Sequence, residues 1–217
     1  MHVLSVNISG PVTRPKGDGT LTTGIFKRAV SGSVRIHTLG LEGDFVGDLR
    51  HHGGEHKAVY GYTMENIERW RSELGRFDLG AGAMGENLTT RGLDETDVCV
   101  GDRVRIGSCV LEVSEPRTPC STLAMAMDDK AFPKAFLGSG RTGFYMRVVS
   151  EGALWAGDAI ERVERRERGP RVPVGEVSRI MLLAPDDVEG ARRCLEIAAL
   201  GPTWRERFEK RVRKARG

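Results

Sequence analysis

The chain has no long apolar run. Nowhere does it approach the ~18 consecutive apolar residues that a membrane span needs, so no membrane association is expected. It lacks a CxxC pair: Cys99, Cys109, Cys120 and Cys194 stand apart, and in a reducing compartment they should be free thiols. It also lacks a strong charge of either sign. A formal net charge of +3 over 217 residues gives no reason to expect a nucleic-acid partner. The opening stretch, MHVLSVNISGPV, carries no basic segment ahead of an apolar one. No signal peptide is therefore expected, and a cytoplasmic protein is the default.

What the chain does have is glycine. Its 28 glycines and 9 prolines favour a β-rich fold of short strands, turns and bulges. Hydrophobic residues make up 39%, enough for a sizeable core and too many for a disordered chain. The length suits one large domain, or one domain with a small appendage.

Alternation predicts a strand from Val3 to Ile8, ended by Gly10-Pro11. Residues 14–19 read as a flexible stretch, and residues 24–41 as short strands. Residues 58–62 run as a strand into a helix, with Thr63 as N-cap, Ile67, Trp70 and Leu74 on one face, and Gly75 as terminator. A meander of three strands is expected over residues 98–100, 104–106 and 110–113, and another strand over 143–150. The phrase Val100-Gly101-Asp102 is echoed by Ala156-Gly157-Asp158, as in a barrel built from related hairpins. Residues 164–170 form a charged linker, and three amphipathic helices follow near 174–184, 186–199 and 202–214. The division expected is thus a β-rich domain at 1–165 and a three-helix domain at 172–217.

Several candidate motifs carry chemistry. Gly80 to Gly85 matches GxGxxG to the letter, but residues 76–79 make a poor preceding strand and residues 86–90 continue as strand. A dinucleotide site needs a helix there, so none is expected. His52 and His56 have the spacing of helical zinc ligands, yet Gly53-Gly54 between them argues against a helix. A loop whose backbone N–H groups approach an anion fits better, and a solvated turn fits equally well. The basic run from Trp204 onward places Trp204, Phe208 and Val212 on one face, as a solvated amphipathic helix does. Cys99 and Cys109 sit inside apolar strands and read as small buried hydrophobes, as does Cys194. Cys120 differs. It ends SEPRTPC, past a strand, where Pro116 and Pro119 restrict the loop and Arg117 lies near. A cationic neighbour stabilises thiolate, which is both nucleophile and metal ligand. The residues alone leave a functional and a structural thiol equally open.

Taken in order, the segments GLEGD (40–44), HGGEHKAVY (52–60), GENLTT (85–90), VGD (100–102), EPRTPC (115–120), GRTGFY (140–145) and AGD (156–158) form a recognisable series. The chain resembles the MOSC domain family, named for the C-terminal domain of molybdenum-cofactor sulfurase. Within it, the helical tail is similar to that of the stand-alone bacterial YiiM-type proteins. The resemblance implies a mainly β, α+β fold: a β-barrel with peripheral helices plus a small three-helix domain. It implies the molybdenum cofactor (Mo-molybdopterin), with Cys120 as metal or sulfur ligand and catalytic residue. Pyridoxal phosphate is not expected. The cofactor's phosphate would call on Lys27, Arg28, Arg35, Lys57, Arg117 and Arg141, with His52, Asn87 and Thr118 as neutral donors. Thr122 stands where the family commonly has a basic residue. By resemblance the protein reduces N-hydroxylated compounds, using electrons from a flavin or haem protein. A cofactor carrier, or a sulfur carrier with a persulfide on Cys120, would use the same residues.

Overall fold

The computed structural model describes residues 1–163 and 169–215. Most of the charged linker expected at 164–170 lies outside the described residues. The strands are His2–Ile8 (β1), Val12–Lys16 (β2), Gly19–Thr23 (β3), Arg28–Ala29 (β4), Val34–His37 (β5), Gly40–Leu41 (β6), Val59–Thr63 (β7), Leu88–Arg91 (β8), Arg103–Ile106 (β9), Cys109–Pro116 (β10), Phe144–Ser150 (β11), Gly152–Leu154 (β12) and Ile160–Val163 (β13). The helices are Leu49–His52 (α1), Met64–Leu74 (α2), Ser121–Met127 (α3), Phe132–Gly138 (α4), Val174–Leu182 (α5), Val188–Leu195 (α6) and Pro202–Lys214 (α7).

Eight strands form the main sheet in the order β13-β9-β10-β11-β7-β8-β1-β4. Its pairs are antiparallel except β7 with β8, which run parallel. A parallel pair needs a crossover, and α2 supplies it. The α+β class stands, but the barrel does not close as a continuous ladder. The residue before β13, at one end of the sheet, instead meets β1, the last strand but one at the other, at a bridge between His2 and Ala159, backed by Val3 N–H to Asp158 O at 2.9 Å. β13 starts only at Ile160, so it overlaps β1 by too little to pair along its length.

The echoed Gly-Asp phrases are one turn used twice. Gly101 has φ +90° and Gly157 φ +102°, a region open to glycine at little cost. Each following aspartate accepts from the amide three residues back: Asp102 from Cys99 at 3.1 Å and Asp158 from Trp155 at 3.0 Å. The strands they launch, β9 and β13, pair with each other. Residues 98–100 are not a strand, because Cys99 is held in this turn and makes a lone bridge to Pro173. Residues 14–19 belong to a hairpin, β2 with β3, turning at Gly17 with φ +58°. Thr63 occupies the N-cap position of α2 without a capping bond, since its hydroxyl donates to the Glu65 carboxylate. Ile67 and Trp70 are buried, whereas Leu74 is 38% exposed.

The apolar core runs without a break from the sheet into α5–α7, where Val177, Ile180, Trp204 and Phe208 are buried. Arginines of α7 finish the other two helices. Arg211 donates to the Met181 carbonyl at 2.6 Å, and Arg205 to Leu195 O at 2.9 Å, so the last turns of α5 and α6 keep partners for their orphan carbonyls. α6 is shorter than the periodicity predicts, and Ala199 is buried beyond its end.

Candidate functional site

The longest strand of the main pairing leads straight into the SEPRTPC loop. β10 pairs β11 up to Pro116 opposite Phe144, and the Arg117 amide donates to Gly143 O at 3.3 Å. Past Pro116 no regular element intervenes before Cys120, the extended N-cap of α3. This gives a thiol in a fixed place past a strand end. Cys120 is half-buried, whereas Cys99, Cys109 and Cys194 are buried.

Burial opposes ionisation of Cys120, but hydrogen bonding to His52 and the charge of Arg117 outweigh it and bring its pKa down to about 6. At the other two thiols burial prevails, pushing Cys109 up to about 11 and Cys194 up to about 12. Arg117 is itself only 4% exposed. Its guanidinium lies 4.8 Å from the Tyr60 ring centre and 5.6 Å from that of Phe136, and Nη1 donates to the Tyr60 hydroxyl at 3.4 Å. Among the described residues no ion pair joins Arg117 to a carboxylate. The groups that favour its charge are Tyr60, Tyr145 and Cys120. A buried cation without a counter-charge is costly, so a thiolate or a bound anion stabilises this arrangement.

Cys120 and Arg117 open onto a cavity of about 120 Å³ that His52, Lys57, Lys27, Asn87 and Thr122 also line. Leu21, Ile25, Phe45 and Val46 give it apolar walls. His52 comes from the end of α1, whose N-cap Asp48 accepts from the Arg50 amide at 3.1 Å. Lys57 ends a 3-10 turn, Glu55–Lys57, and donates to His51 O at 2.7 Å. On the opposite wall Lys27 donates to Asp44 at 2.6 Å, and Asn87 Nδ2 donates to the same carboxylate at 2.8 Å. Asn87 Oδ1 accepts from the Tyr60 amide at 3.0 Å. Lys27 and Asn87 thus both direct donors at Asp44 within the protein, and burial lowers the Lys27 pKa. These two residues shape the wall, while Arg117, Lys57 and His52 present charge or donors to it.

Four other candidates lie elsewhere. Arg141 stacks on Trp70 at 4.1 Å and grips Glu73 with bonds of 2.8 and 2.6 Å. Arg28 is exposed on β4. Arg35, on β5, lines a separate surface groove with His37 and Glu151. Thr118 is half-buried between the prolines and does not line the cavity. His56 is also outside it, and among the described residues no group of three or more His, Cys, Asp or Glu is placed to hold a metal. The GxGxxG run is a turn wrapped on Glu86, which accepts from the Gly82 and Met84 amides at 2.7 and 3.0 Å. Asp44, Tyr60 and Tyr145 were not singled out by sequence reasoning, although Asp44 closes the GLEGD phrase. The signal was present as a motif, but no local pattern says that its carboxylate meets Lys27 and Asn87.

The chain belongs to the MOSC domain family. The MOSC domain matches residues 48–161, and the YiiM-like, 3-alpha helix domain matches residues 172–215. The Bacillus subtilis protein YflK is 38% identical, over 96% of this chain and 93% of its own length. A protein from Gibberella moniliformis named Reductase is 35% identical over 72% of this chain, a match that spans 28% of that longer protein. The crystal structure of YiiM from Geobacillus stearothermophilus superposes with a TM-score of 0.82 at 32% identity, covering 97% of this chain and 98% of that one. No helix among the described residues is long and apolar enough to cross a membrane.

Proposed function

We propose that the Cys120 pocket binds the molybdenum cofactor, and that the protein reduces N-hydroxylated compounds such as amidoximes and N-hydroxylated bases in the cytoplasm. Electrons would come from a flavin or haem protein. The observation that carries this reading is the buried Arg117 cation, which lacks a carboxylate among the described ion pairs and faces an ionisable thiol. A thiolate is the soft ligand that such a metal prefers, and an anionic pterin phosphate suits a wall with Arg117, Lys57 and His52. The donor set therefore fits the group. When bound, the cofactor supplies the two-electron chemistry of N–O cleavage.

The chain's own residues do the positioning. Arg117 and His52 hold Cys120 deprotonated near neutral pH. The Lys27–Asp44–Asn87 network fixes one wall, and Leu21, Ile25, Phe45 and Val46 limit water in the cavity. Family membership and the relative named Reductase support the oxidoreductase class.

Protein made in a host that synthesises the cofactor should retain molybdenum and pterin, and Cys120→Ala should lose nearly all of both. Equal metal in the two proteins would overturn the ligand assignment. Turnover of a benzamidoxime probe with a chemical reductant separates the enzyme from a carrier, which would hold metal without converting the probe. Sulfane sulfur on Cys120, seen by mass spectrometry in metal-free protein, would mark a sulfur carrier instead.

A further inference from the structure

The same strand that delivers Cys120 carries a buried carboxylate that the cofactor reading leaves unused. Glu115 is 2% exposed. Its Oε1 lies 3.6 Å from Lys57 Nζ, which lines the pocket. Its Oε2 lies against Gly201, the N-cap of α7. A Cβ on Gly201 would fall 1.9 Å from that oxygen, so no larger residue fits without moving the carboxylate. The neighbouring Ser114 ties down both sides of this junction. Its carbonyl accepts from the Gly201 amide at 3.1 Å, and its hydroxyl donates to His56 O in the turn that carries Lys57. Arg207, in the second turn of α7, adds a second favourable charge toward Glu115. The groups facing this carboxylate are therefore Lys57 from the 3-10 turn, Tyr145 from the paired strand β11, and Arg207 and the helix N-terminus from α7.

We propose that Glu115 is a positioning residue through which the three-helix unit sets the charge of the Cys120 pocket. The N-terminus of α7 is the positive end of its dipole and favours a carboxylate there. Seated in that place, Glu115 partly cancels the Lys57 ammonium and fixes where it stands. The helical unit is then a component of the site and not a separate module. This inference goes beyond the cofactor reading, and its test uses the bare protein.

The test compares alkylation of Cys120 by iodoacetate and by iodoacetamide at pH 8.5. There the Glu115 carboxyl, pushed up to about 7 by burial, is ionised. Both reagents attack the same thiolate, so the ratio of their rates reports the potential in the pocket and not the ionisation of the thiol. Glu115→Gln keeps the shape and removes the charge, and should raise the ratio by about threefold or more. Lys57→Met should lower it by a similar factor, and the double variant should lie between the two. Gly201→Ala, which evicts the carboxylate from the helix end, should shift the ratio in the direction of Glu115→Gln. A ratio unchanged or lowered in Glu115→Gln overturns the proposal. A shift in Glu115→Gln with none in Gly201→Ala overturns the part played by α7. Melting curves of each variant check that the fold is retained.

Discussion

Two arginines of this molecule sit in similar seats and do opposite things. Both come from phrases that flank the pocket, EPRTPC and GRTGFY, and both lay the guanidinium over aromatic rings. Arg141, on Trp70, is closed off by a bidentate carboxylate from Glu73. Arg117, on Tyr60 and Phe136, is more deeply buried, and among the described residues no ion pair joins it to a carboxylate; Tyr60, Tyr145 and Cys120 are the groups that favour its charge. Stacking on a ring satisfies the planar cation at its faces but does not cancel its charge. The pairing with a carboxylate makes Arg141 a clamp between α2 and the Gly140–Gly143 turn. The absence of such a pairing leaves the field of Arg117 directed at Cys120. The lesson is that motif membership locates an arginine, whereas its counter-charge decides its role.

The largest test of this contrast exchanges each cation for an apolar chain of similar length. At pH 7, Arg117→Met should slow alkylation of Cys120 by roughly tenfold or more, because the thiol returns toward its ordinary range. Arg141→Met should leave that rate within about twofold of the wild type. Equal slowing in the two variants would erase the distinction.

A second test probes the Arg141 side through Glu95, which is 3% exposed and accepts from Asn66 Nδ2 at 2.8 Å. Burial pushes its carboxyl up to about 7. The folded pKa lies above the unfolded value near 4.5, so the folded state binds the proton more tightly. The resulting stability is fully present below about 4.5 and is lost as pH rises through about 7. Glu95→Gln should flatten this dependence, a change on the order of 2 kcal/mol between pH 5 and 8, measured by denaturant unfolding. The alkylation profile of Cys120 should not move. The smallest effect expected is on stability in Arg141→Met, about 1 kcal/mol, as befits a stacked and partly exposed ion pair.

Much of the fold was legible because its signals are local. The strand from Val3 to Ile8, the αL glycine Gly75 after α2, and the Trp204, Phe208 and Val212 face of α7 each follow from periodicity or a cap. The echo of Val100-Gly101-Asp102 in Ala156-Gly157-Asp158 proved to be a shared turn, because one aspartate-to-amide bond recurs in both. The hairpin over residues 12–23 was hidden by Pro15, Gly17 and Gly19, which read as breakers although an isolated two-strand ribbon tolerates them. In the site, Cys120 stood out through its prolines. The division of labour among the cations did not, because counter-charges arrive from far along the chain: Glu73 lies 68 residues from Arg141, and Asp44 lies 43 from Asn87. Such pairings depend on which strands become neighbours, and no window of sequence contains that information.

His52 and Arg117, the latter without a carboxylate partner among the described residues, hold Cys120 as a thiolate near neutral pH. The most direct measurement is the pH dependence of Cys120 alkylation by iodoacetamide in the wild-type protein, with the modified residue identified by mass spectrometry. The rate should show a midpoint at about 6, with a plateau above pH 7 and a tenfold fall per pH unit well below the midpoint. A midpoint near 9, the ordinary range of a free thiol, would contradict it.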